Sequence, residues 1–253
     1  MTRFLSLSAA LSVLLACPAW PAKWDVVPTV SVIETYTDNV SLVQDALKQN
    51  DWVTQVIPGI SITATGPQLQ FKVNYAPEVV YYAKGTEENQ VFQRGNALAN
   101  AELAKQLLFI DAGASVNQYA ISLQGPLTTS NIYTTGNRAT VKTFFASPYL
   151  RRDFGSEIQA EARFTYSVVN SDDNSQLNNS VADRINLRLA SGPAYKLLTW
   201  DLAYKKETID YESQGDTDIE VITANARYLI TPTVGLLAQV GHDYYKSGVL
   251  PAS

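Results

Sequence analysis

The chain has 253 residues, a formal net charge of -5 and 17% charged residues. That length suits roughly one or two domains at ~150 residues each, and an acidic chain without a Lys/Arg run lacks the electrostatic footprint of a nucleic-acid binder. Hydrophobic residues make up 46%, yet past residue 22 no apolar stretch is long enough for a membrane-spanning helix, so any passage through a bilayer has to be made by a β-barrel.

Met1 to Ala22 carries a lone Arg3, an apolar core from Phe4 to Ala16, then small residues and prolines. This is the layout of a secretory signal, removed before folding. Cleavage after Ala19 or Ala22 gives an ordinary exported product; Leu14-Leu15-Ala16-Cys17 has instead the outline of a lipoprotein box, which Leu15 fits poorly. With ordinary cleavage the sole cysteine leaves with the signal, and the mature chain, 23–253, can form neither a disulfide nor a thiolate metal site.

From Asp25 on, apolar and polar residues alternate with the strand period of two. The opening segment is Val26 to Tyr36, followed by Trp52 to Thr65. Between Gln68 and Tyr82 the residues Leu69, Phe71, Val73, Tyr75, Val79 and Tyr81 fall on one face, and Gln68, Gln70, Lys72, Asn74 and Glu78 on the other. Weaker alternation runs through Gly95 to Leu103, Leu108 to Gln118 and Arg138 to Tyr149. It is clear again from Glu157 to Val168, then returns in Arg184 to Ala190, Leu198 to Lys205, Ile222 to Tyr228 and Leu236 to Asp243. These make about eleven strands. Leu69 to Tyr81 would extend roughly 43 Å at ~3.3 Å per residue, and a tilt of about 45° projects this to roughly 30 Å, the hydrocarbon thickness of a bilayer.

The connections alternate in length. Long polar ones span 38–51, 83–89, 119–136, 170–180 and 210–218; tight ones span 66–67, 104–106, 153–155, 192–196 and 231–233. If the chain starts in the periplasm, every long connection faces outward, the asymmetry of outer-membrane barrels. The sequence therefore predicts an all-β, antiparallel, up-and-down transmembrane β-barrel occupying 23–253. Pro58, Pro77 and Pro148 fall inside strands and predict bulges there. An odd strand count, and an end at Leu250-Pro251-Ala252-Ser253 without an aromatic-ended strand, read as an incomplete barrel truncated at its C-terminus.

Glu34-Thr35-Tyr36-Thr37-Asp38-Asn39-Val40, then Ile57-Pro58-Gly59-Ile60-Ser61-Ile62, give the chain a family likeness that continues through Ala97-Leu98-Ala99-Asn100-Ala101-Glu102-Leu103 and Phe109-Ile110-Asp111-Ala112. In these motifs it resembles the N-terminal portion of the outer-membrane β-barrels associated with the PEP-CTERM and exosortase system. The resemblance implies a porin-like or export-associated barrel in the outer membrane of a Gram-negative cell, linked to exopolysaccharide production and protein sorting. The implied partners are outer-membrane lipid and exopolysaccharide or its export machinery, with no cofactor and no catalysis. A structural or adhesive surface barrel, binding a partner through its outer loops, is the alternative.

The candidate functional surface is the polar parity. Lys72, Glu78, Glu102, Arg138, Lys142, Glu161, Arg163, Arg184, Arg188, Lys205 and Arg227 are expected to line the lumen, together with Asp111, Glu157, Asp201 and Asp243. Channel water solvates such charges, whereas a midplane Arg or Lys on the lipid side costs roughly 2 to 4 kcal/mol. Trp52, Tyr81, Tyr82, Tyr149, Trp200 and Tyr228 are expected in the interfacial girdles. The only histidine, His242, falls on the parity of Val240 and makes a poor triad member. Asp172-Asp173-Asn174 and Asp216-Thr217-Asp218 lack the spacing of a calcium loop. The chain is accordingly read as a non-enzyme.

Overall fold

The computed structural model describes residues 21–122, 130–133, 137–172, 179–213 and 215–248. The signal segment up to residue 20, with Cys17, lies outside this set, as do Asp173, Asn174, most of the 119–136 connection and the last five residues of the chain. Among the described residues no helix is long and apolar enough to cross a membrane.

The alternating segments form one antiparallel sheet of thirteen strands. They are β1 (Lys23–Thr37), β2 (Asp51–Thr65), β3 (Leu69–Tyr75), β4 (Glu78–Tyr82), β5 (Gln90–Phe92), β6 (Gly95–Ala104), β7 (Leu108–Ala120), β8 (Arg138–Phe154), β9 (Ile158–Ser171), β10 (Ser180–Ser191), β11 (Leu198–Tyr211), β12 (Thr217–Leu229) and β13 (Gly235–Ser247). Among the described residues, apart from a single-turn 3-10 helix at Asp45–Leu47, every element is a strand. The all-β, antiparallel, up-and-down reading holds.

Thirteen strands and the expected eleven describe the same path. β3 and β4 are two pieces of one line: Ile60 of β2 pairs with Tyr75 and Val56 with Val79, in an unchanged register. β5 and β6 likewise continue each other, since Glu78 pairs with Phe92 and Tyr75 with Gly95. The break in the first line falls at Pro77. The amide of Ala76 donates to Arg94 O at 2.9 Å, so the next position along the strand directs its nitrogen the other way, toward β2. The register brings Pro58 opposite Pro77, and two residues without an amide hydrogen meet on one rung. Pairing of β8 with β9 lapses in the same manner at Ser147 and Pro148 and resumes in phase. The expected bulges at the prolines are therefore not formed; a missing donor deletes a hydrogen bond without inserting a residue. The register shifts instead between Glu102 and Ala104, where β6 meets β7.

Connections alternate as predicted, with the long ones gathered at one end of the sheet. Asp51, fully buried, orders that end: its carboxylate accepts from the Trp52 amide at 2.7 Å, the Lys84 amide at 2.9 Å and the Thr86 hydroxyl at 2.7 Å. Ser41 donates to Glu87 at 2.5 Å, tying the first long connection to the second. The sheet is open: β1 pairs only with β2, and β13 only with β12.

Candidate functional site: the polar face of the sheet

Residues directly opposite each other in antiparallel strands share a face, so the registers sort every side chain. One face carries Trp24, Val30, Val32, Tyr36, Trp52, Ile60, Tyr81, Phe164, Ile185, Leu187, Leu189, Leu202, Ile222 and Val240, all exposed. Two tilted aromatic pairs sit on it at opposite ends of β1, Trp24 with Phe71 at 6.1 Å and Tyr36 with Trp52 at 5.3 Å between centroids. A soluble β protein folds such a face against a second layer; here nothing among the described residues covers it.

The other face is polar, and hydrogen bonds lace it across the strands. Arg163 is the hub. Its guanidinium reaches Asp111 at 2.6 Å, Glu161 at 3.0 Å and Ser147 at 3.2 Å, and lies 3.7 Å from the centroid of the Tyr149 ring. Asn100 donates to the other oxygen of Asp111 at 2.9 Å. Tyr149 stacks on Phe109 at 5.0 Å, and Arg151 lies over Phe109 at 4.8 Å. Further along, Glu207 takes Arg184 on one oxygen and Lys205 on the other at 2.6 Å. Arg188 stands 3.6 Å from Asp201, which also accepts from Asn225 at 3.0 Å. A flat surface carrying this many charges would lose most of their pairing energy to water. Shared hydrogen bonds on a partly shielded face hold these side chains in fixed positions.

The long-loop end of this face is covered from within the chain. Ile132, 3% exposed, packs with Val40, Val53, Val80 and Tyr82, and the Tyr82 hydroxyl donates to Ile132 O at 3.0 Å. Its neighbour Asn131 donates to Glu78 at 2.7 Å and accepts from Arg138, which also donates to Ser130 O at 2.8 Å. Gln55 holds the remaining oxygen of Glu78. Residues 130–133 are thus pinned onto the polar parity of β2 and β4. Sequence reasoning missed this docked segment; the apolar residues of the connection, among them Ile121, Leu123, Leu127 and Ile132, are scattered without a period.

Among the expected lining residues, Lys72, Glu78, Glu102, Glu161, Arg163, Arg184, Arg188, Lys205 and Arg227 share this face, as do Asp111, Asp201 and Asp243. Glu157 falls in the turn before β9. Arg138 begins β8 and turns toward the docked segment. Lys142 is a correction: it pairs with Val116 and Asn170, two residues along from Phe144, and so lies on the apolar face. Adjacent Phe144 and Phe145 break the alternation of β8, which let the parity be assigned the wrong way. Two of the expected girdle aromatics also belong to the polar face. Tyr82 is buried beneath the docked segment and Tyr149 lies under Arg163, whereas Trp52, Tyr81, Trp200 and Tyr228 point to the apolar side.

His242 pairs with Ile222 on the apolar face. The Asp172 carboxylate accepts from the Thr140 amide at 2.7 Å and Asp218 from the Thr208 hydroxyl at 2.8 Å, so both have protein partners. Among the described residues no group of three or more His, Cys, Asp or Glu side chains is placed to hold a metal ion.

A single up-and-down meander with one greasy and one hydrated parity has the architecture of an outer-membrane β-barrel wall. In solved structures the chain is similar to OmpT of Vibrio cholerae, described as an outer membrane protein. Its loop L8 deletion mutant matches with a TM-score of 0.46 and 9% identity, over 89% of this chain and 94% of that one. The trimer form folded in vitro gives the same score and identity, over 89% and 90%. No protein-family model and no curated sequence matches. The expectation of a non-enzyme is corrected at this point: at 9% identity the likeness to OmpT bears on fold alone, and enzyme status is not established.

Proposed function

We propose that this protein is an outer-membrane β-barrel, porin-like or export-associated, whose polar face lines a water-filled path for polar solutes. The observation that carries the reading is the uncovered apolar parity. It runs the length of strands long enough to cross a bilayer, opposite a parity of braced charges. Hydrocarbon is the environment that rewards the first, and enclosed water the environment that rewards the second. The link to exopolysaccharide secretion and to the PEP-CTERM sorting system comes from the strand motifs alone.

Planar-bilayer conductance of the refolded protein, together with polysaccharide secretion in a deletion strain, tests the proposal. Discrete channels and a secretion defect are expected; a silent bilayer and normal secretion would remove it. The ordering of the long-loop end by Asp51 and the Ser41–Glu87 bond favours one rival, a surface barrel that binds a partner through those connections. Shortening the 83–89 connection separates the two, since adhesion would fall while conductance stayed.

A further inference from the structure

An open depression of about 430 Å³ lies on the polar face over β10 to β13, within the size range of small-molecule sites. Its floor is the rung on which Ala190, Asp201, Asn225 and Gln239 lie side by side. The next rung sets Arg188 beside Ala203, Thr223 and Gly241. Two arginines flank the floor. Arg188 has only the 3.6 Å approach to Asp201, because Glu161, opposite it in the ladder, is held by Arg163 at 3.0 Å. Arg227, on the far side, makes no ion pair or hydrogen bond among the described residues and stands opposite Thr199.

Elsewhere on the face Arg163 bonds two carboxylates, and Arg184 bonds Glu207 while its Nε stays without a partner. Two guanidiniums against the single carboxylate of Asp201 leave the cleft one positive charge in excess, which attracts an anion and is neutralised by a single carboxylate. Guanidinium binds carboxylate through paired N–H donors. Thr199, Asn225 and Gln239 add neutral donors and acceptors of the kind that meet hydroxyl groups.

We infer that this cleft is a binding site for a small hydroxylated monocarboxylate, the chemistry of a sugar acid. The inference rests on the conduction reading above and names the solute class that the path would select. Arg227 and Arg188 grip the carboxylate, and Asp201, Asn225 and Gln239 meet the hydroxyls.

Equilibrium binding of glucuronate to the full chain, refolded in detergent micelles, tests it. Glucose serves as the neutral probe. Saturable glucuronate binding is expected, with at least tenfold weaker binding of glucose, at least tenfold loss in R227Q and in R188Q, and none in R151Q on the same face. Absence of glucuronate binding by the folded wild-type chain, equal binding of glucose, or binding untouched by R227Q would overturn the assignment. Binding without conductance would remove the channel reading alone, and conductance without binding would remove this site alone.

Discussion

At the scale of single residues, the face a side chain occupies fixes what its replacement should cost. Arg163 satisfies Asp111, Glu161 and Ser147 at once and covers the Tyr149 ring. Arg163→Ala leaves two carboxylates side by side on a shielded face, and we expect a loss of about 2 to 4 kcal/mol in urea unfolding of the lipid-bound protein. A loss no larger than that of an exposed surface arginine would show that the network braces nothing. On the opposite parity, Leu187→Lys places an ammonium midway along β10 among Ile185 and Leu189. It should cost roughly 2 to 4 kcal/mol in the same measurement. Lys142 lies near the long-loop end of β8 on that parity, close enough for its stem to carry the charge out to water, so Lys142→Leu should change stability by less than about 1 kcal/mol. The sequence assigned most of these faces correctly because alternation of side chains is a property of any strand. It failed at Lys142 and Tyr149 because both lie in β8, where the apolar pair Phe144-Phe145 supplies no phase. Nor could it show that Arg163 finds carboxylates on β7 and β9, since partners across a ladder depend on register and not on order along the chain.

At the scale of elements, the eleven alternating segments were legible, and the long and short connections with them, although β8, β10, β11 and β12 run several residues beyond the alternation. What escaped was the effect of the prolines and the fate of one connection. Pro58 and Pro77 were expected to force bulges; the ladder tolerates them by setting both on one rung, where the two missing donors coincide. Pro77→Thr restores one of those donors toward β2, and about 0.5 to 1.5 kcal/mol of added stability is expected by urea unfolding. A loss would mean that the interruption is required by the path of β3 and β4. The docked segment at 130–133 was not legible because the scattered apolar residues of that connection carry no periodicity. Its anchorage does give a prediction: Ile132→Ser removes the apolar plug between Val53, Val80 and Tyr82. Single-channel conductance should then rise and fluctuate more than in the wild type, whereas unchanged conductance would place the segment outside the conducting path.

At the scale of the whole molecule, one sheet has two incompatible surfaces, and only an environment with two phases satisfies both. Stacking this sheet on a second layer would bury Ile185, Leu187 and Leu189, and the described residues supply no such layer. The opposite face, with Arg163, Glu207 and Asp201 bonded across strands, needs water or its equivalent beside it. The odd number of strand lines also bears on closure. Because neighbours are antiparallel throughout, β1 and β13 run in the same direction, so an antiparallel seam between the two free edges requires a strand of opposite direction between them.

The most direct test uses β10, where Arg184, Asn186 and Arg188 alternate with Ile185, Leu187 and Leu189. Each of the six is replaced in turn by cysteine on a background carrying Cys17→Ser, and the protein in liposomes is treated with a membrane-impermeant maleimide added to both sides. The account predicts labelling at 184, 186 and 188 and protection at 185, 187 and 189. Uniform labelling, or protection with the opposite phase, would contradict it.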